Sequence, residues 1–156
     1  MRVRIEARPG FWIGNLEGFA RYLAWLHLNP MGMECEFSEG KGGAEIRIML
    51  EEGVSDNLNT RGVEALYNTK SFANERLAKH IIDGICESTH FMNRGIRAED
   101  TAWDILVVCG YRTNAADRSI LTDENKKGYI IQGIMEGLKE CYRRELLSKR
   151  QNFKPA

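Results

Sequence analysis

The chain has 156 residues, 43% of them apolar, which is enough for one ordinary domain with a real core and too many for general disorder. Lys plus Arg and Asp plus Glu both number 22, so the formal charge is zero. This excludes a dedicated nucleic-acid-coating protein, which would be strongly basic, and the apolar runs are too short for the ~20 residues a membrane span needs.

The chain starts MRVRIEARPG, with charges where a signal peptide needs an apolar core. No signal peptide is therefore expected, and synthesis is expected in the cytoplasm. Residues 20–28, ARYLAWLHL, read as a buried strand ending at Asn29-Pro30. Residues 31–43 read as an acidic, glycine-rich loop excursion. From Met31 to Glu52 six acids stand against two bases, a local charge of −4. Residues 44–50 alternate Ala44, Ile46, Ile48 and Leu50 with Glu45 and Arg47, the period of a strand. A short strand is expected at 63–67. Ser71 then caps a helix reaching Cys86, with Leu77, Ala78, Ile81, Ile82 and Ile85 on one face. Residues 104–109, DILVVC, have the near-continuous apolar character of a central parallel strand.

Thr122 is read as the N-cap of a final helix, with Asp123 and Glu124 in its first turn. Ile131, Ile134, Leu138 and Cys141 form its buried stripe, and Gly133 and Gly137 would let it approach a sheet closely. Its end is basic: from Lys139 to Lys154 six bases stand against two acids, a local charge of +4. Strands alternating with helices predict an α/β fold, a mostly parallel sheet flanked by helices. One domain is expected over 1–150, with 151–156 as a tail.

The four cysteines are Cys35, Cys86, Cys109 and Cys141. They are too few for a disulfide scaffold, and no two are spaced as a CxxC zinc clip. Cys109 and Cys141 read as small core residues. Of the three histidines, His27 ends the expected strand at 20–28, and the carboxyl ends of parallel strands are where ligands bind in such sheets. His80 and His90 read as solvated. The chain has no HExxH, GxSxG, GxGxxG or P-loop pattern.

Five segments, in order, resemble the zinc-dependent N-acetylmuramoyl-L-alanine amidases of the amidase type 3 family. The first is Ile13-Gly14-Asn15 with Ala20 to Asn29, set against a family strand ending Ser-Ile-His-x-Asn. The second is Arg61-Gly62-Val63-Glu64-Ala65-Leu66-Tyr67 with Ser71, Leu77 and Ala78. The third is Asn93-Arg94-Gly95-Ile96. The fourth is Ile105 to Asn114 with Asp117, similar to Leu-Val-Glu-x-Gly-Phe-x-x-Asn-x-x-Asp. The fifth is the final helix with Gly133 and Gly137. The resemblance implies a hydrolase of bacterial cell-wall peptidoglycan, cutting the amide between the lactyl group and L-alanine. It implies zinc as cofactor, His27 as a metal ligand, and Asn29, Arg94 and Asn114 at the substrate.

The departures have chemical consequences. The family opens with a strand and a Gly-His-Gly-Gly loop carrying the first zinc His, and no such motif precedes His27. Glu17 is the one candidate for the family's Glu ligand. The family's catalytic Glu falls at Val108, which cannot move a proton, and the candidate substitutes are Glu64, Glu17 and the acids of the 34–39 loop, Glu34, Glu36 and Glu39. Against the family's pattern, the acidic excursion at 31–43 looks like an insertion. A metal hydrolase needs about three protein ligands and a carboxylate to carry the proton. The resemblance therefore implies a degenerate site of weak or absent activity. The alternative is a non-catalytic amidase-like domain binding cell-wall peptide or a protein partner. A third reading has a missing first strand supplied by another copy, making a homo-oligomer. Without a signal peptide, the expected route to the wall is cell lysis, as for phage endolysins.

Overall fold

Apolar residues at every second position build a six-stranded sheet, and apolar residues at helical spacing build the layer that covers it. A computed structural model describes residues 1–37 and 43–152, with side chains described through Arg144. The strands are β1 (Arg2–Ala7), β2 (Glu34–Glu36), β3 (Ile46–Gly53), β4 (Val63–Tyr67), β5 (Asn93–Ala98) and β6 (Ile105–Tyr111). The helices are α1 (Leu16–His27), α2 (Ala73–Thr89), α3 (Ala115–Leu121) and α4 (Glu124–Asn152), with a 3-10 turn at Asn29–Met31. The sheet order is β2-β1-β3-β6-β4-β5. All neighbours run parallel except β4 and β6, which are antiparallel. The α/β, mostly parallel expectation therefore holds, and β4 and β6 are neighbours that run in opposite directions.

Side chains alternate across the sheet. Val3, Ile5, Ile46, Ile48, Leu50, Val63, Ala65, Ile105, Val107 and Cys109 point to an inner face. There they join the buried residues of α1, α2 and α4 in one apolar cluster. The stripe Ile131, Ile134, Leu138 and Cys141 of α4 is buried in this cluster, as is the α2 stripe from Leu77 to Ile85.

Several sequence expectations are corrected. Residues 20–28 are not a strand; they lie in α1 and the turn after it. The buried positions Leu16, Ala20, Leu23 and Ala24 have helical spacing, while Tyr22, Trp25 and Leu26 are exposed. An apolar run looked like a buried strand because this helix is apolar on its outer side too. The first strand is not missing: Arg2–Ala7 forms β1, hidden from the pattern by its charged outward residues. The stretch 31–43 is not simply an inserted loop, since Glu34–Glu36 forms the edge strand β2, paired with β1; residues 38–42 lie outside the described ones.

Thr122 does not cap the last helix. It ends α3, and its Oγ1 donates to Arg118 O at 2.8 Å. Asp123 does the capping, its Oδ1 accepting from Lys126 N at 3.1 Å. Ser71 Oγ accepts from Ala73 N at 3.3 Å, one residue outside the first turn of α2. The Gly133 and Gly137 approach is to α2, not to the sheet: Cβ atoms there would lie 2.6 Å from Gly84 O and 2.5 Å from His80 O. In the supposed tail, residues 151 and 152 continue α4, and 153–156 lie outside the described residues.

Candidate functional site

Parallel α/β sheets bind ligands where the carboxyl ends of their strands open into a crevice. Here β1, β3 and β6 end side by side. An open cleft of about 390 Å³ lies there, lined by Arg8, Pro9, Gly10, Phe11, Glu51, Glu52 and Arg112. Each strand supplies a charge just where its ladder stops, because the chain turns outward there and can carry a solvated group.

The charges are paired with one another. Glu51 Oε2 is 3.5 Å from Arg8 Nε, and Arg8 also lies over the Trp103 ring at 4.9 Å. Glu52 Oε2 accepts from Arg112 Nε at 2.7 Å and lies 2.6 Å from Nη2, a bidentate contact. Its other oxygen, Oε1, accepts from Lys127 Nζ at 3.2 Å. Lys127 comes from the first turns of α4 and is 1% exposed. It donates to Phe11 O at 2.5 Å and sits 4.0 Å from the Phe11 ring centroid. Burial pushes the Lys127 ammonium below its usual range, and the hydrogen bond to Glu52 opposes that shift.

Val108 points to the outer face of the sheet, opposite Glu51 on β3 and opposite Glu64 on β4. Glu64 Oε1 accepts from the Tyr111 hydroxyl at 3.3 Å. Burial, and then the Glu64 carboxylate, push the Tyr111 hydroxyl above its usual range. The Arg94 guanidinium covers the same ring at 5.3 Å. Two residues singled out in the sequence, Glu64 and Arg94, thus meet at Tyr111, and a third, Val108, stands across the ladder from Glu64. Gly110 between them has φ +99°, a conformation that only glycine adopts without strain.

The remaining candidates are elsewhere. His27 closes α1, and the turn after it meets the start of β1, where the Met1 amino group reaches Gly32 O at 3.3 Å. The cleft is at the other end of β1, six residues and roughly 20 Å away. Asn29 lies in the same distant turn and is exposed. Glu17 pairs with Arg21 at 3.3 Å. It stands ten residues before His27 on one helix, roughly 15 Å along its axis, so the two cannot hold one ion. Asn114 caps α3: its Oδ1 accepts from Ala116 N and Asp117 N, and its Nδ2 donates to Leu58 O at 2.9 Å. Its amide oxygen and one of its two N–H donors are used there.

The family's zinc does not fit the residues of this cleft. A catalytic zinc takes about three His, Cys or carboxylate ligands at 2.0–2.3 Å. The loop after β1, Arg8-Pro9-Gly10-Phe11, carries no His, and β3 ends Glu51-Glu52-Gly53, again without one. Cys109 faces the core, where burial holds its thiol far above its usual range. Both cleft carboxylates already hold cations. Among the described residues no three His, Cys, Asp or Glu side chains are grouped to hold a metal.

Lys127, Glu52 and Arg112 were not expected from the sequence. Lys127 had a signal. Stepping the stripe Cys141, Leu138, Ile134, Ile131 back one more turn lands on it, so a lysine stands in line with a buried stripe.

The sequence profile of the N-acetylmuramoyl-L-alanine amidases (amidase type 3) matches residues 41–140. Four of the five resembling segments fall within that match; Ile13 to Asn29 falls outside it. No curated protein matches the sequence. Solved structures match in fold. The CwlD amidase of Clostridioides difficile, in complex with the GerS lipoprotein, has 12% identity and a TM-score of 0.70, over 91% of this chain and 98% of that one. The catalytic domain of CwlV, an N-acetylmuramoyl-L-alanine amidase of Bacillus (Paenibacillus) polymyxa var. colistinus, has 19% identity and a TM-score of 0.68, over 92% and 99%. An N-acetylmuramoyl-L-alanine amidase of Nostoc punctiforme has 17% identity and a TM-score of 0.70, over 92% and 98%.

Proposed function

The chain belongs to the amidase type 3 family of N-acetylmuramoyl-L-alanine amidases, and from that premise we propose that it is a peptidoglycan-directed domain that binds the wall peptide in its cleft without metal-dependent hydrolysis. The observation that carries this reading is the Arg112–Glu52–Lys127 cluster. A zinc amidase needs a metal to activate water and a free carboxylate to move the proton. Here a buried ammonium supplies the positive charge, its partner carboxylate is held bidentately by an arginine, and Val108 offers only methyl groups. A divalent cation placed beside Lys127 would meet a like charge. The paired Arg8–Glu51 and Arg112–Glu52 groups suit a peptide carrying both carboxylates and amines, because each pair can exchange its partner for a ligand group of the same sign.

The test is sedimentation of the protein with purified peptidoglycan, alongside an assay for newly released L-alanine amino termini, with and without added zinc. Co-sedimentation that is weakened by Arg112→Ala, with no release in either condition, is expected. Zinc-dependent release by the unaltered chain would overturn the reading. A second reading is weak residual hydrolysis, favoured by Glu64 standing directly across β4 and β6 from Val108. It requires slow release that Glu64→Gln abolishes while binding persists.

A further inference from the structure

A surface helix normally presents one apolar stripe to the core and a polar face to water. Helix α1 breaks that rule. Its inner side buries Leu16, Ala20, Leu23 and Ala24. Its outer side presents Phe19, Tyr22, Trp25 and Leu26, which are 40%, 54%, 63% and 45% exposed. These four lie within eight residues and, with Gly18 and Asn29, make a face without a charge. The Tyr22 and Trp25 rings stand 6.4 Å apart, so the aromatic surface is contiguous. Contiguous exposed apolar surface of this kind marks an interaction site.

We propose that the outer face of α1 is the contact between two copies of this chain, packed antiparallel about a two-fold axis at Tyr22. A two-fold contact must be self-complementary, and this face is. An antiparallel pair centred on Tyr22 sets Phe19 of one copy against Trp25 of the other. It sets Leu26 against Gly18, where an added Cβ would find nothing within 4 Å. It sets Asn15 against Asn29 and Tyr22 against itself. Large thus meets small, ring meets ring, and amide meets amide. Two charges flank this face, and each already has a partner: Arg21, its side chain 57% exposed, pairs with Glu17 at 3.3 Å and lies over the Phe37 ring at 5.6 Å, and Glu124 accepts from Asn15 N at 2.6 Å. The zero net charge of the chain adds no repulsion between copies.

The area sets the strength. Three half-exposed aromatic rings of about 150–250 Å² each supply, with Leu26, roughly 400 Å². A stable interface takes about 800 Å² per partner. The dimer is therefore a weak one whose population depends on concentration. No residue of α1 lines the cleft, so the contact does not use the groups that the cleft presents.

The test has two parts. Light scattering and sedimentation across a rising concentration series should show monomer passing to dimer, and Tyr22→Asp should hold the chain monomeric with an unchanged circular dichroism spectrum. Under mild oxidation, Tyr22→Cys should cross-link to its own copy, because residue 22 sits on the axis. Phe19→Cys alone should not, and a mixture of Phe19→Cys with Trp25→Cys should. The native Cys35 makes little background, since burial pushes its thiol up to about 12. A chain that stays monomeric at all concentrations overturns the proposal, as does a dimer that survives Tyr22→Asp. Protection of Trp25 by added peptidoglycan, with no dimer, would also overturn it by assigning the face to another occupant.

Discussion

On the inner face of the sheet, Ile5, Ile48, Leu50 and Val107 are sealed by the aliphatic side chains of three helices. On the outer face, Arg4, Glu6, Met49, Leu66 and Val108 reach nearly the same low exposure by covering one another. There Arg2 and Arg4 reach across to Glu34 and Glu36 on β2. Arg47 approaches Glu6 at 3.7 Å, and the Trp103 indole donates to Glu6 at 2.9 Å. Parallel strands are usually covered on both sides. This sheet covers one side with helices and the other with arginine stems, whose methylene groups lie on the strand surface while their heads pair with glutamates. The difference lies in what holds each face. Inside, geometry does: a side chain either fits or it does not. Outside, charge does, and charge can be exchanged with solvent or with a ligand. The candidate cleft is the place where the outer face runs out over the strand ends.

The helix layer on the inner face should therefore give the largest single effect. At Gly137 an added Cβ would lie 2.5 Å from His80 O and 2.8 Å from Ile81 Cα, both backbone atoms of α2. Neither can turn aside. Gly137→Leu should cost about 4 kcal/mol or more, read as a collapsed denaturant midpoint or loss of soluble protein. A cost below ~1 kcal/mol would mean that α2 and α4 can slide apart, and that the inner face is not fixed by shape.

Lys127 joins the two faces, since its stem runs in the core layer and its head reaches the cleft. Lys127→Met should cost about 2–3 kcal/mol, less than a fully isolated buried pair because Arg112 still holds Glu52. Adding Glu52→Gln to Lys127→Met should recover much of it, because no uncompensated charge is left. The pH dependence follows from burial lowering the Lys127 value below 10.5. Between the folded and unfolded values the unfolded chain holds the extra proton, so this group adds stability as pH rises through that window. Urea midpoints measured against pH should lose that component in Lys127→Met. An unchanged profile would place the ammonium in water rather than behind Phe11.

The helix cap is a smaller effect. Asp123→Ala should cost about 1 kcal/mol, because it strips the carboxylate from the first turn of α4. Thr122→Ala should cost less than about 0.5 kcal/mol, since its hydroxyl only backs onto Arg118 O. The reverse order in thermal melts would restore Thr122 as the cap.

What could be read from the chain follows the same division. Inner-face elements announce themselves: 44–50 by its alternation, 104–109 by its near-continuous apolar run, and the α2 and α4 stripes by clean helical spacing. Strand β1 was missed because Arg2, Arg4 and Glu6 occupy the outward positions, and a charged outer face looks like a loop. Helix α1 was misread because its outer face is apolar, which erases the contrast that marks a helix. His27 inherited that error: as the end of a strand it would have stood at a ligand crevice, and as the end of α1 it stands at the opposite edge. Glu64 and Val108 could be singled out because the family resemblance falls on segments that also read as strands, and Arg94 by the resemblance alone. The Glu52 cluster was not, since Glu52 lies 60 residues from Arg112 and 75 from Lys127 in sequence, and only the closed sheet brings them together.

The smallest effect should come from the outer face itself, at Arg8. Its guanidinium pairs with Glu51 at 3.5 Å and stacks on Trp103, yet about half of it faces water. Exposed pairs of this kind contribute about 0–1 kcal/mol and are screened by salt. Arg8→Ala should thus shift the denaturant midpoint by less than about 1 kcal/mol, with the shift shrinking further at high ionic strength. The same substitution frees Glu51 at the mouth of the cleft and removes one of its two guanidiniums. Capture of peptidoglycan should fall several-fold while the fold is unaffected, and the loss should be greatest at low salt, where that charge acts at longest range. A large loss of stability with unchanged capture would invert the comparison, making the outer face a structural wall held by shape like the inner one.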